Sequence, residues 1–390
     1  MRADVKLGPD GVWYARPYLG TDALGRKIRP YRSFPGAESE AEAQALADAW
    51  ARHLTADGRV RSMRLADLLE DYIDARRASG ASPNSTRTYR TFTIYVRRYL
   101  KRALASDLTV MDFERFQLRL LAPKDEGGQG LSRSSVSAVH NFLRGAYNWA
   151  VRAGLCETNP MVSVSKPAPE HVEAASLDEA DFAELESALT GAMDGSDMRQ
   201  SVMAYAAWLA LRTGMRVGEV CAVRRRDVNG SARFVHVGGN VIEERGRKPY
   251  RREVTKGRKC RNVSITDSDV RRIDGMIRLQ DGQRAGLGAD TPLVTTDGSY
   301  MRPSAVSDAF SSLRDRLGLP RRVTFHGLRH THATWCLANG VDLKTLSERL
   351  GHADAATTLR VYAHVLPGRD AAAAEAFARA AGAARDRFGS

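Results

Sequence analysis

Apolar positions along the chain change rhythm three times. In the opening stretch Trp13, Tyr14, Tyr18, Tyr31 and Phe34 are interleaved with Arg16, Lys27, Arg29 and Arg32 around a turn bounded by Gly20 and Gly25. Aromatic and basic residues about such a turn predict a small β-hairpin. The Ala-rich segment Glu38 to Leu54 then places Leu46, Trp50 and Leu54 at four-residue steps, on one face of a helix. From Leu65 the pattern is wholly helical. Leu65, Leu68, Leu69, Tyr72 and Ile73 form an apolar stripe, and Ser82-Pro83-Asn84 supplies cap and turn residues before the next helix. That helix carries Arg87, Arg90, Arg97, Arg98, Lys101 and Arg102 among Tyr89, Phe92, Tyr95 and Tyr99, so one side can pack while the other meets phosphates. Further helical segments are expected near Val110 to Leu121 and Ser134 to Ala153, on either side of the loop Lys124 to Gly130.

Asn159-Pro160 ends this bundle, and Lys166-Pro167-Ala168-Pro169 through Ala175 reads as an extended linker. Ser176-Leu177-Asp178-Glu179 looks like a capping box opening a new helix. The remainder is mainly helical, interrupted by short strands around Phe234 to Val237, Tyr250 to Thr255 and Arg261 to Ile265 that suggest a small antiparallel sheet. The fold class is therefore mainly α with small β-sheets (α+β). Its expected parts are a β-sheet plus helix over 1–60, a helical bundle over 62–160, a linker over 161–175 and a mixed, mainly helical domain over 176–390. A chain of 390 residues is too long for one ordinary core, in keeping with two or three domains.

Charge narrows the function. Lys and Arg outnumber Asp and Glu by 59 to 46, a net +13 gathered in local clusters, which points to a polyanionic partner, although a solvated basic surface would have the same composition. Cys156, Cys221, Cys260 and Cys336 are scattered without CxxC spacing and read as reduced thiols of a cytoplasmic protein. No stretch approaches the roughly 18 apolar residues of a membrane span.

Four islands of the last domain carry candidate chemistry. In Thr213-Gly214-Met215-Arg216-Val217-Gly218-Glu219, Gly214 allows a tight turn. Arg216 then stands near a helix start, where guanidinium and backbone amides can meet one phosphate; the plain alternative is an arginine paired with the glutamate three residues on. Thr255-Lys256-Gly257-Arg258-Lys259 lies between two expected strands, and a lysine on a hairpin turn can reach a leaving oxygen as general acid. Lys256 and Lys259 both remain candidates, and a basic hairpin is otherwise a common surface feature. His326-Gly327-Leu328-Arg329-His330-Thr331-His332 puts His326 and Arg329 on one helical face, able to converge on a phosphate. A metal site of His326, His330 and His332 is the competing reading, but it lacks the glutamate of a zinc-hydrolase helix. Last comes Leu350-Gly351-His352, with Tyr362 ten positions after the histidine. Alone, such a tyrosine would be a packing residue.

Taken together, these islands resemble the active site of the tyrosine recombinases, the phage integrase family, with all six expected positions in order between about 176 and 370. The resemblance implies that Arg216 contacts the scissile phosphate with Glu219 in support. Lys256 would be the general acid, His326, Arg329 and His352 phosphate ligands, and Tyr362 the nucleophile. It implies a site-specific recombinase that cuts and rejoins duplex DNA through a 3′-phosphotyrosine and a Holliday junction, integrating or excising a phage or mobile element, without metal, nucleotide or other cofactor. By the same resemblance the bundle is a core-binding domain and the first sixty residues an arm-type DNA-binding domain. Implied partners are double-stranded DNA at attachment-type sites, three further copies of the chain in a tetramer, an excisionase or directionality factor and a host DNA-bending protein. The place of action would be the cytoplasm of a bacterial host, at the nucleoid, and the Ala-rich tail from Ala371 to Ala383 would dock on a neighbouring protomer. A type IB topoisomerase shares the chemistry without partner exchange, and a catalytically silent DNA-binding protein shares the charge.

Overall fold

The computed structural model describes residues 3–168, 177–244, 246–253, 260–321, 323–352, 359, 374–375 and 377–382. The chain divides into two compact units, 1–172 and 173–390.

The first unit begins with β1 (Val5–Leu7), β2 (Trp13–Ala15), β3 (Gly20–Thr21), β4 (Lys27–Ile28) and β5 (Arg32–Phe34). Strands β1, β2 and β5 form an antiparallel sheet in that order, with Trp13 opposite Leu7 and Phe34, and β3 pairs with β4 as the expected hairpin. Helix α1 (Glu40–Arg52) starts at Ser39, whose hydroxyl accepts from the Glu42 amide, and stops before Leu54. The expected third member of its stripe instead forms an isolated bridge with Val60, because the chain turns back at residues 55–59. Helices α2 (Leu65–Ala78), α3 (Pro83–Tyr99), α4 (Val110–Leu121) and α5 (Arg133–Ala153) complete the unit.

One continuous core runs through both parts. Phe34, Leu46 and Trp50 from the sheet and α1 belong to the same buried cluster as Leu68, Leu69, Ile73, Phe113, Leu143 and Tyr147. Each such side chain contributes about 1.5–3 kcal/mol by leaving water. Arg152 of α5 reaches Glu42 at 2.6 Å, and Arg32 donates to the Val151 carbonyl at 3.2 Å. Met161 and Val164 are buried in this core too, so the extended stretch begins later than the expected 161. A second correction concerns the basic helix. Helix α3 ends at Tyr99, and Lys101, at φ +34°, turns the chain so that Ala103 and Ala105 pair with Leu65 and Met63. Lys101 and Arg102 therefore lie beyond the helix they were expected to extend.

In the second unit α6 (Glu179–Met193) is capped by Asp178, which accepts from the Asp181 amide; Ser176, the expected cap, lies outside the described residues. Helix α7 (Met198–Thr213) is buried on nearly all sides, which makes it the central helix of this unit. After it come α8 (Val217–Val220), β6 (Val228–Asn229), β7 (Phe234–Val237), β8 (Gly239–Ile242), β9 (Tyr250–Glu253) and β10 (Arg261–Ser264). Helices α9 (Asp267–Gln283), α10 (Pro303–Arg316), α11 (Phe325–Ala338) and α12 (Leu343–Leu350) follow.

Instead of the single expected sheet the described residues form two, β10-β7-β6 and β8-β9. Only Gly238 separates β7 from β8, too little chain for them to fold back on each other, so each takes a different partner. Glu253 stands opposite Gly239 and Arg261 opposite Val237. The segment with Lys256 and Lys259 thus joins strands of different sheets, each antiparallel to successive stretches of 234–242. Residues 254–259, with the expected turn at Lys256 and Lys259, lie outside the described residues.

Candidate active site

Arg216 is the residue before α8, and its side chain is 41% exposed. The Glu219 carboxylate accepts from the Arg216 backbone amide at 3.0 Å and from its Nη1 at 3.1 Å. The Arg216 amide is thus occupied by Glu219, while its guanidinium still reaches solvent. On its other side Glu219 accepts from Arg261 Nη1 at 3.2 Å and Nη2 at 2.8 Å. Burial alone would raise the Glu219 carboxyl, but the hydrogen bond and charge of Arg261, then those of Arg216, hold it down at about 2. Glu219 is an anion at any working pH, and it fixes the root of Arg216.

Arg329 on α11 is nearly inaccessible. Its Nη1 donates to the Gly214 carbonyl at 2.7 Å and its Nη2 to the Leu350 carbonyl at 2.8 Å. One guanidinium thereby holds together the turn before Arg216 and the end of α12 before His352. Both contacted ends are left-handed: Gly214 closes α7 at φ +68° and Gly351 closes α12 at φ +69°. A Cβ on Gly214 would stand 2.8 Å from both His332 and Leu350, so this close approach needs glycine.

His326 lies at the exposed start of α11, with its ring edge-on to His330 at 4.9 Å. Its proton affinity is lowered by desolvation, then by Arg329 and Arg216. His352 is pushed down to about 4 by desolvation, then by Arg329, Arg216, Arg261 and His330. His326 and His352 thus both lie within the electrostatic reach of Arg216 and Arg329. At neutral pH the imidazoles are uncharged N–H donors, and the positive charge resides on the arginines. Lys256 and Tyr362 fall outside the described residues.

His332 belongs to a different circuit. Its Nδ1–H donates to the Leu211 carbonyl at 2.9 Å, and Arg349 Nε donates to its Nε2 at 2.9 Å. Arg349 also donates to the carbonyls of Ser264 and Arg212. His332 therefore packs and bonds away from His326 and His330, and among the described residues no group of three or more His, Cys, Asp or Glu could hold a metal. Arg261 and Arg349 were not singled out from the sequence. The only signal for Arg261 was strand alternation, which puts it on the same face as buried Val263.

In the first unit Arg87, Arg90, Arg97, Arg98, Lys101 and Arg102 are all exposed. Arg97 pairs with Glu70 at 3.0 Å, and Arg98 bonds Gln129 at 3.0 Å while standing 5.3 Å over the Tyr99 ring. Arg87, Arg90 and Arg97 fall on one face of α3 at three- and seven-residue steps. Among the described residues no helix is long and apolar enough to cross a membrane.

Comparison with known proteins gives the same answer from both units. The profile described as "Phage integrase family" matches residues 178–369, and the "Phage integrase SAM-like domain" matches 64–166. A "Tyrosine recombinase XerC-like" protein of Caldanaerobacter subterraneus subsp. tengcongensis is 25% identical over 379 residues, 92% of this chain and 93% of the relative. The "Tyrosine recombinase XerC" of Rhodospirillum centenum is 29% identical over 294 residues, 72% and 77% of the two chains. Among solved structures, the Tn1549 transposon integrase in complex with transposon right end DNA shares the fold, with a TM-score of 0.64, 20% identity and coverage of 84% of this chain and 100% of that one.

Proposed function

The chain belongs to the phage integrase family and is a tyrosine recombinase, a strand-transfer enzyme acting on DNA; from that premise we propose that it integrates and excises a phage or mobile element at attachment-type sites. The observation that supports this reading best is the Arg329 guanidinium, which ties the Arg216 turn to the His352 turn, as a site built around one phosphate requires.

In this reading the Tyr362 phenolate attacks the scissile phosphorus, forming a 3′-phosphotyrosine while the bond to the 5′ oxygen breaks. Lys256 delivers a proton to that departing oxygen, leaving a free 5′-hydroxyl. The trigonal bipyramid carries more charge on its nonbridging oxygens than the diester does, and fixed guanidinium and imidazole donors stabilise it, about a hundred- to a thousandfold in rate for each. Arg216 and Arg329 supply charge, and His326 and His352 neutral N–H groups. A 5′-hydroxyl from the partner duplex then attacks the phosphotyrosine, and two such exchanges, through a Holliday junction, complete recombination within a tetramer. The energy of the broken ester is kept in the covalent intermediate, so each step reverses readily.

Residues 62–160 act as the core-binding domain, with Arg87, Arg90, Arg97, Arg98, Lys101 and Arg102 meeting DNA phosphates; residues 1–60 contact arm-type sites, and 176–390 hold the chemistry. An excisionase and a host DNA-bending protein set the direction. The test is a nicked suicide substrate. Wild-type protein accumulates a protease-sensitive DNA adduct mapping to Tyr362, whereas Tyr362→Phe binds the same DNA and forms none. An adduct that persists in Tyr362→Phe overturns the assignment, and relaxation of a two-site plasmid without exchange would identify a topoisomerase instead.

A further inference from the structure

Arg261 lies on β10, just after the segment that carries Lys256. Its side chain is 10% exposed and all three of its guanidinium nitrogens are engaged. Nη1 and Nη2 grip the two oxygens of Glu219 at 3.2 and 2.8 Å, and Nε donates to the Arg349 carbonyl at 2.7 Å. Glu219 holds Arg216 through both its backbone amide and its Nη1. The Arg349 carbonyl lies in the last turn of α12, and a Cβ on Gly351, the residue before His352, would stand 2.6 Å from Arg261 Nη1.

We propose that Arg261 is a positioning residue for strand transfer, orienting Arg216 through Glu219 on one side and fixing the His352 turn through the Arg349 carbonyl on the other. A bidentate guanidinium–carboxylate pair sets an angle as well as a distance, which a single ion pair cannot do. With Arg261 absent, Glu219 keeps Arg216 as its one remaining partner among the described residues, and the guanidinium swings toward the carboxylate and away from the phosphate. Three of the catalytic segments then lose their common tie: the Arg216 turn, the strand that follows Lys256, and the His352 turn. Arg261 itself touches no DNA in this scheme.

The inference rests on the strand-transfer reading of this site, and the measurements separate the two. With the full-length chain, single-turnover adduct formation on a suicide substrate and DNA affinity are measured for wild type, Arg261→Ala, Arg261→Lys, Glu219→Gln and the double variant Glu219→Gln/Arg261→Ala. Arg261→Ala should form adduct on the order of 10–100-fold more slowly, as losses of supporting hydrogen bonds do, with DNA affinity within about twofold of wild type. Arg261→Lys, which keeps one donor and the charge, should recover part of the rate, and millimolar guanidinium should restore part of it to Arg261→Ala. The double variant should be no slower than Arg261→Ala alone. Thermal unfolding of each variant shows whether it is folded, and Arg261→Lys carries the test if Arg261→Ala is not. The proposal falls if Arg261→Ala keeps its rate within about threefold, if rate and affinity drop together, or if the two substitutions add independently. Should wild type form no adduct at all, the reading of the site fails instead.

Discussion

His332 gives a pH dependence of stability that can be worked out from its partners. The ring donates through Nδ1 to Leu211 and accepts at Nε2 from Arg349, so a second proton has no lone pair to occupy without evicting the Arg349 bond. Desolvation, then the charge of Arg349, lowers its proton affinity to about 4, with the Leu211 carbonyl partly opposing. In the unfolded chain an ordinary histidine titrates near 6.5. Between those values the unfolded chain binds the proton and the folded chain refuses it, so stability is full above about pH 6.5 and falls as pH drops toward 4. A gap of roughly 2.5 units at about 1.4 kcal/mol each is roughly 3 kcal/mol, and screening of a partly buried ring trims it to about 2. His332→Gln retains an amide acceptor and donor without titrating. Hydrogen exchange on peptides from α7 and α11, measured in increasing denaturant at pH 7, 6, 5 and 4.5, reports the unit's stability at each pH. Wild type should lose about 2 kcal/mol more than His332→Gln between pH 7 and 4.5. His330 and His352 are also shifted down to about 4 and contribute equally to both proteins. Parallel pH curves for the two proteins would show that His332 is not the acid-sensitive group and that the proposed circuit is wrong.

Gly214→Ala should destabilise the second unit by about 2–4 kcal/mol, from the left-handed backbone and the overlap with His332 and Leu350. Calorimetry should show that unit melting earlier while the first unit's transition stays in place, and an unmoved midpoint contradicts the prediction. Trp50→Ala should cost about 3–5 kcal/mol, and hydrogen exchange should report the loss on α5 as well as α1. Changes confined to peptides before residue 60 would mean that the N-terminal sheet and the bundle do not share a core.

Much of the fold could be read because period and capping agreed locally. The Leu65 to Ile73 stripe, the Ser82-Pro83 start and the Val110 to Leu121 helix each combine a 3.6-residue rhythm with a cap or turn residue, and α2, α3 and α4 lie there. The misreadings occurred where distant contacts decide. Lys101 continues the basic rhythm of α3, yet the chain leaves the helix to pair with residues some forty positions earlier. Strand partners depend on the one-residue break at Gly238, which has no periodic signature. At the site, the motifs that single out Arg216, His326, Arg329 and His352 as candidates have a spacing local to each. What was not legible is how they are held: Arg329 bonds carbonyls 115 and 21 positions away, and Arg261 a carboxylate 42 positions away. Hydrogen bonds to main-chain oxygen place no demand on the partner's side chain, so the sequence of the partner carries no trace of them.

Among the described residues the two larger buried clusters divide the chain at one point along its length. The first draws its members from Ala3 to Val164 and the second from Leu177 to Leu328, with neither borrowing from the other. On a ribosome the amino-terminal body therefore has every described residue of its core once position 164 has cleared the exit tunnel, while the carboxy-terminal half is still being made. It can fold during synthesis at the pace of elongation, and the central, largely apolar helix 198–213 emerges behind an already folded neighbour.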